Sequence, residues 1–266
     1  MASAAATTAR GSVLVVWDFD WSLVNENSDT WVVKQLGEEL MPNFRSLRKE
    51  EQLGWTQIMN RQMRSLWEKG VTESEIKWSM SRLPVFQRML DAACMAGAAG
   101  AEQAVVSDAN TVFIEEFLKH HGIRSLFGKG ITTNGGVFKE DGRLDVQPHH
   151  SDPGVPHGCS LCPPNMCKGI ILDGLLAHQD GNGRRATDKV IYVGDGGGDY
   201  CPALRLRPGD VLLARHGEKE GRTYGLRQRI EKGEGGALSC RMLSWDTGDD
   251  VYAAFERELE GVREAS

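Results

Sequence analysis

The sequence predicts an α/β protein: a doubly wound parallel sheet whose first strand is followed by an inserted helical cap. Three observations carry this prediction. Short, continuous apolar runs at 13–17, 104–106 and 190–193 have the length and composition of strands buried on both faces of a parallel sheet, and 211–214 is a fourth. Helical patterns separate these runs, as crossover connections require. The stretch between the first two runs is helical and contains no convincing strand.

In chain order, residues 1–11 are rich in Ala, Ser and Thr and lack the apolar centre of a secretory signal, so a disordered leader is expected there. The core is expected over 12–28 and 98–266, with the cap over 29–97. Within the cap, Trp55, Ile58, Met59, Met63, Leu66 and Trp67 follow helical spacing, and such a stripe reads as packing. Gly70 ends that helix, and Thr72 with Glu75 forms a T-x-x-E capping box for the next. Pro84 marks a further break. A helix over 111–121 closes at Gly122. Residues 131–146 alternate as a hairpin that turns at Asp141-Gly142. The stretch 149–164 reads as an ordered loop, and a helix begins near Lys168. Beyond Gly217 the chain is charged, with a last helix expected over 251–259.

Composition limits the function classes. The chain has 266 residues, enough for a substantial core with one insertion. A formal net charge of -6 offers no broad basic face for nucleic acid. No apolar run reaches the length of a membrane span. Six cysteines in a chain this large, without a signal, read as reduced thiols, and a cytoplasmic location is expected.

The chemistry lies where the strands stop. The first runs into Asp18-Phe19-Asp20, the second into Ser107-Asp108, and the third into Gly194-Asp195 with Asp199 close behind. Carboxyl ends of strands line the ligand crevice of an open α/β sheet, so these groups should converge. Asp18 is suited to attack phosphorus and Asp20 to protonate the leaving oxygen and then activate water. A hard divalent cation, Mg²⁺ by default, neutralises the meeting of anions. Asp195 is the natural further ligand; Asp199 is either a ligand through water or a support. Ser107 and Lys168, the latter opening a helix, are placed to hold phosphoryl oxygens.

These residues, in this order, resemble the four motifs of the haloacid-dehalogenase superfamily: Asp18-Phe19-Asp20-Trp21-Ser22, Ser107, Lys168, and Gly194 to Asp199. The resemblance implies a core and cap of that type, Asp18 as nucleophile, Asp20 as acid and base, and Mg²⁺ held by Asp18, the Asp20 carbonyl and Asp195. Ser22 stands where Thr or Val is usual, and Trp21 is unusually bulky. The segments 25–29, 107–110, 157–168 and 194–202 are similar to the phosphoethanolamine/phosphocholine phosphatase group, which includes pyrophosphatase-like, thiamine-phosphate-phosphatase-like and pyridoxal-phosphate-phosphatase members. That similarity implies recognition of a cationic headgroup by Asp29 and Asp108, and a small phosphorylated metabolite as partner. Phosphocholine or phosphoethanolamine leads; thiamine monophosphate, pyridoxal phosphate and pyrophosphate follow. A phosphotransferase sharing the first half-reaction is the alternative enzyme, and a silent phosphometabolite binder the alternative class.

Other signals have plainer readings. Cys159, Cys162 and Cys167 with His157 could form a Cys₃His zinc site, but a packed loop that positions Lys168 is the preferred reading. His149-His150 reads as structural or solvent-facing, Gly196-Gly197-Gly198 as a tight turn, and Arg184-Arg185 as a solvated pair. The sequence gives Asn134 no position relative to the pocket.

Overall fold

A computed structural model describes residues 12–150, 157–177, 187–218 and 221–263. The leader expected over 1–11 and the Arg184-Arg185 pair lie outside the described residues. The core is one seven-stranded sheet built from β1 (Val13–Trp17), β2 (Glu102–Asn110), β3 (Ile131–Phe138), β4 (Leu144–Gln147), β5 (Lys189–Gly194), β6 (Val211–Arg215) and β7 (Arg241–Trp245). Their order is β4-β3-β2-β1-β5-β6-β7, and all neighbours are parallel except the β3-β4 hairpin.

Both faces of β1 are buried, as its unbroken apolar run requires. Val13, Val15 and Trp17 point into one apolar layer, and Leu14 and Val16 into the other. The first layer includes α5 (Gln87–Ala98), α6 (Thr111–His120) and α10 (Gly248–Arg263). The second includes α7 (Lys168–Leu176), α8 (Tyr200–Ala203) and α9 (Gly225–Lys232). The sheet is therefore wound on both sides, as the sequence predicts.

The insertion after β1 is helical throughout: α1 (Ser28–Leu36), α2 (Asn43–Lys49), α3 (Trp55–Glu68), α4 (Glu73–Ser81) and then α5. Thr72 and Glu75 make the expected reciprocal cap of α4, and Gly70 leaves α3 at a φ of 86°, where a Cβ would be strained. Helix α3 is fastened to the hairpin by a double hydrogen bond: Asn60 Nδ2 donates to the Val146 carbonyl at 2.7 Å, and the Val146 amide to Asn60 Oδ1 at 2.6 Å. Asp141-Gly142 forms the hairpin turn.

The boundary drawn at residue 97 places too much chain in the cap. Helix α5 lies on the sheet: Gln103 of β2 accepts from the Trp17 indole and donates to the Ala93 carbonyl, tying strand, strand and helix together. On its other side, Gly248 of α10 approaches Phe86 and Met89 so closely that a Cβ would meet them under 3.0 Å. We therefore assign the cap to α1–α4. An amphipathic helix facing a cap and one facing a sheet share the same 3.6-residue pattern, so periodicity alone does not separate them. Strand β7 and helix α9 are not legible in the charged stretch beyond Gly217. The strand is an edge, half-exposed along most of its length, so its apolar pattern is weak.

Candidate active site

Strand β1 ends by turning sharply. Asp18 is extended, and Trp21 takes a left-handed φ of 54° that lets residues Phe19–Leu23 fold back within one turn. Trp21 is held there by its amide bond to the Glu26 carbonyl and by packing against Tyr224 and the Arg222 guanidinium. The turn aims the Asp18 carboxylate out of the sheet edge. Asp18 Oδ1 accepts from the Phe19 amide at 2.7 Å and from Lys168 Nζ at 2.8 Å.

Lys168 is the first residue of α7 and is buried. Its ammonium also bonds Asp199 Oδ1 at 2.9 Å. Asp199 is fully buried, and both its oxygens are occupied. Oδ1 accepts from Lys168 and from the Tyr192 hydroxyl at 2.8 Å; Oδ2 accepts from the amides of Asp195 at 3.1 Å and Gly196 at 2.9 Å. A carboxylate oxygen has two lone pairs, so Asp199 is saturated and acts as the support of Lys168 and the Asp195 turn. The close approach of Gly194 explains that glycine, because a Cβ there would meet the Asp199 carboxylate at 2.7 Å. Asp195 receives the Ser22 hydroxyl at 3.2 Å. The smaller Ser22 thus has a definite task in this motif.

Asp20 points the other way along the turn. Its oxygens accept from the Ser28 amide at 2.9 Å and from Asn27 Nδ2 at 3.1 Å, at the start of α1. Asp29, one residue further into α1, is buried and accepts the Trp55 indole N–H from the start of α3. Asp108 accepts from Asn165 Nδ2 at 3.1 Å, and its carbonyl accepts from Asn134 Nδ2 at 2.6 Å. Asn134 thus supports the Asp108 backbone. Asp18, Asp20, Asp29, Ser107, Asp108, Lys168 and Asp195 line one cavity of about 210 Å³ beneath the cap. Every residue singled out by strand-end chemistry reaches this cavity or, as Asp199 does, its immediate support. Among the supporting residues, Tyr192, Trp55, Asn27, Asn165 and the buried Arg215 are given no site role by the sequence, where Trp55 reads as packing. Arg215 bonds the Trp21 carbonyl and Asn25, across 194 and 190 residues respectively. Nothing local in the sequence signals such partners.

His149 and His150 lie outside this cavity. They form an edge-on ring stack with His157 beside a larger groove that only touches it at Asn27, Trp55 and Asp108. Gly196-Gly197-Gly198 forms the tight turn between Asp195 and Asp199.

The carboxylates are mutually uncomfortable. One oxygen from each of Asp18, Asp195 and Asp199 lies within 4.8 Å of the others; the Lys168 ammonium pairs with Asp18 and Asp199, and the Arg215 guanidinium acts more weakly on Asp195. Burial, then Asp199, pushes Asp195 up to about 8; burial pushes Asp20 up to about 6 despite the Ser28 amide. Burial and Asp199 hold Asp18 well above the usual carboxylate range, against Lys168. Lys168, although burial works against its charge, is held well above its ordinary value by Asp18 and Asp199. This excess of buried negative charge with oxygen-only donors fits a hard divalent cation. Asp18 and Asp195, whose oxygens are not saturated, are the side chains that would hold it.

A pH dependence of stability follows. A folded-state pKa above the ordinary 3.8 means that the folded protein binds more protons than the unfolded chain in between. In chelator, this stabilising contribution is full below about 3.8. It is lost as pH rises through about 6 for Asp20 and about 8 for Asp195. One excess proton tilts stability by about 1.4 kcal/mol per pH unit. Thermal melts in EDTA should therefore fall between pH 5 and about 8.5, and millimolar Mg²⁺ should flatten that fall. Parallel curves with and without Mg²⁺ would contradict a cation at these carboxylates.

Comparison with known proteins agrees with the geometry. The family described as "Putative Phosphatase" matches residues 13–258. Inorganic pyrophosphatase 2 of Arabidopsis thaliana is 42% identical over 211 residues, covering 77% of this chain and 71% of that protein. A thiamine phosphate phosphatase-like protein of Arabidopsis thaliana is 37% identical over 203 residues, covering 76% of this chain and 80% of that one. Among solved structures, a HAD family hydrolase from Salmonella enterica serovar Typhi shares the fold with a TM-score of 0.52 at 13% identity, over 83% of this chain and 71% of that one. Among the described residues, no helix is long and apolar enough to cross a membrane.

Proposed function

The chain belongs to this phosphatase family, of the haloacid-dehalogenase type, and on that premise we propose that it hydrolyses a small, cation-bearing phosphomonoester through an aspartyl-phosphate on Asp18. The observation that carries this reading is the Lys168 ammonium bonded to both Asp18 and Asp199, at a cavity of about 210 Å³ that Asp18 and Lys168 share with Ser107 and Asp195. Mg²⁺ would be held by Asp18, the Asp20 carbonyl and Asp195, and would supply charge neutralisation of the phosphoryl oxygens.

In the first half-reaction, an Asp18 oxygen attacks phosphorus while Lys168 and Ser107 hold phosphoryl oxygens. Asp20, raised toward neutrality, delivers its proton to the departing oxygen. In the second, ionised Asp20 takes a proton from water, which attacks phosphorus and returns Asp18 to its free carboxylate. Saturation of Asp199 by four donors keeps Lys168 fixed throughout. Asp29 of α1 and Trp55 of α3 line the small cavity and narrow the access of bulk water to it.

The cationic end of the substrate is supported by Asp29 and Trp55. A buried carboxylate beside an indole offers both charge and a π face to an ammonium or thiazolium group. Burial and the neighbouring Asp20 hold Asp29 well above its ordinary value, so a bound cation would favour its ionised form. Phosphocholine, phosphoethanolamine and thiamine monophosphate share this feature, and pyridoxal phosphate is a further candidate. Pyrophosphate is the second reading, favoured by the 42% identity to a protein of that name. Phosphate release in water without an added acceptor separates hydrolysis from phosphotransfer. Free thiols at all six cysteines fit the cytoplasmic setting we propose.

The test is phosphate release across these substrates with Mg²⁺, comparing wild type with Asp29→Asn. This change keeps the shape and an acceptor for the Trp55 indole but removes the charge. For cationic substrates kcat/KM should fall about 30-fold or more, the scale of losing one member of a desolvated charge pair, while pyrophosphate loses less than about threefold. Equal losses for both classes would remove the headgroup assignment and leave pyrophosphate as the leading substrate.

A further inference from the structure

Four cysteines converge away from the phosphoryl cavity. Cys159, Cys162 and Cys167 come from the loop before α7, and Cys201 from α8, immediately after the Asp195–Asp199 turn. Their sulfurs all lie within 4.8 Å of one another. Cys201 Sγ stands 3.7 Å from Cys159 Sγ and 3.7 Å from Cys167 Sγ.

These separations select among the chemistries open to thiols. A disulfide needs about 2.0 Å between sulfurs, and none of the four is bonded. A tetrahedral ion with metal–sulfur bonds of about 2.3 Å sets its sulfurs about 3.8 Å apart. The observed 3.7 Å agrees with that edge. We propose that Cys159, Cys162, Cys167 and Cys201 form a tetrahedral Cys₄ zinc site.

His157 is thereby replaced as the fourth ligand. Its Nδ1 accepts the Cys159 amide at 3.1 Å, so Nε2 carries the proton and donates to the Pro163 carbonyl at 2.9 Å. The ring shapes the loop and has no free nitrogen for a metal.

The surroundings suit a dianionic zinc–thiolate centre. Cys167 and Cys201 are buried, which closes the site on its inner side. Cys167 occupies the N-cap position of α7, where the helix dipole favours a thiolate. Arg205 Nε is buried without a hydrogen-bond partner, and it and Cys201 Sγ both crowd the position a Cβ on Gly169 would take. A guanidinium beside the sulfurs offsets their charge. All four ligands and no open position for water mark a structural site rather than a catalytic one.

The placement also gives the site a task. Cys167 immediately precedes Lys168, and Cys201 follows Asp199 by two residues. One ion would tie the segment that carries the cation to the segment that carries its support.

The experiment is metal analysis of the full chain, purified under reducing conditions and dialysed into metal-free buffer. About one zinc per chain is expected. Cys201→Ser should lower retained zinc at least about tenfold, whereas Cys240→Ser, outside the cluster, should leave it unchanged. Asp195→Asn should also keep its zinc, which separates this site from the carboxylate centre. If Cys201→Ser does not fold, cobalt exchange into the wild type decides, because four thiolates give intense sulfur-to-cobalt absorption that a mercurial abolishes. Absence of both zinc and cobalt–thiolate absorption, iron in place of zinc, or fewer than six thiols in freshly prepared, denatured and chelated protein would overturn the assignment.

Discussion

Asp18→Asn is expected to lower Mg²⁺-dependent phosphate release by about 10⁴-fold or more, with no phosphorylated protein recoverable after acid quench. That factor is about 5.5 kcal/mol of lost transition-state stabilisation. It is expected because the amide is a poor nucleophile and because no neighbouring group can take over. Asp199 is saturated by four donors, and Asp20 is turned toward Asn27 and Ser28. The same change removes one negative charge from a crowded buried cluster, while Lys168 keeps Asp199 as a partner. The thermal midpoint in EDTA should therefore hold or rise, the usual signature of an active-site group kept at a cost in stability. Activity within about tenfold of wild type would reject Asp18 as nucleophile. A large loss of stability in EDTA would instead assign it a structural role.

Asp20→Asn should separate the two half-reactions. With a substrate whose leaving group needs no proton, such as a nitrophenyl phosphate, formation of the aspartyl-phosphate survives and its hydrolysis slows by about 10²- to 10⁴-fold. A burst of about one nitrophenolate per active chain is expected, followed by slow turnover. Acid-quenched protein should carry one added phosphoryl group on the peptide containing Asp18. With an alkyl phosphate, both steps weaken and the burst disappears. The wild-type geometry supports this division: the Ser28 amide and Asn27 hold the Asp20 carboxylate, while burial raises it to about 6. It can therefore be protonated for one step and ionised for the next near neutral pH. Unchanged steady-state rates and no burst would remove Asp20 from both steps.

The two centres of this molecule share a construction. Each gathers groups from loops that leave the same end of the sheet, and α7 connects them, with Lys168 facing the carboxylates and Cys167 facing the sulfurs. The cap lines the carboxylate side through Asp29 on α1 and Trp55 on α3, and Asn60 anchors α3 to the hairpin.

The residues at the strand ends were legible because their signal is local. A buried strand followed at once by Asp18 and Asp20, or by Asp195 and Asp199, announces both a position in the fold and a chemistry. The cap was legible as helix but not in its extent. α5 carries the same periodicity as α1–α4, and only contact with Gln103 and α10 reveals that it belongs to the sheet. The cysteine loop reads in the sequence as a packed loop or a Cys₃His metal site, and the structure brings Cys201 to its three thiols. His157 is the nearest candidate in sequence, and Cys201 lies 34 residues beyond Cys167.

What the sequence determined by itself was the sheet with its crossovers, the order of the reacting groups, and the type of chemistry. Those depend on hydrophobic periodicity and on which residue follows a buried strand, both readable within a few positions. Only the tertiary structure decided that four donors converge on Asp199, that Trp55 meets Asp29, that Tyr192 and Arg215 brace the site, and that Cys201 completes the thiol cluster. Each is a contact between segments far apart along the chain, and chain folding, rather than spacing, sets such distances.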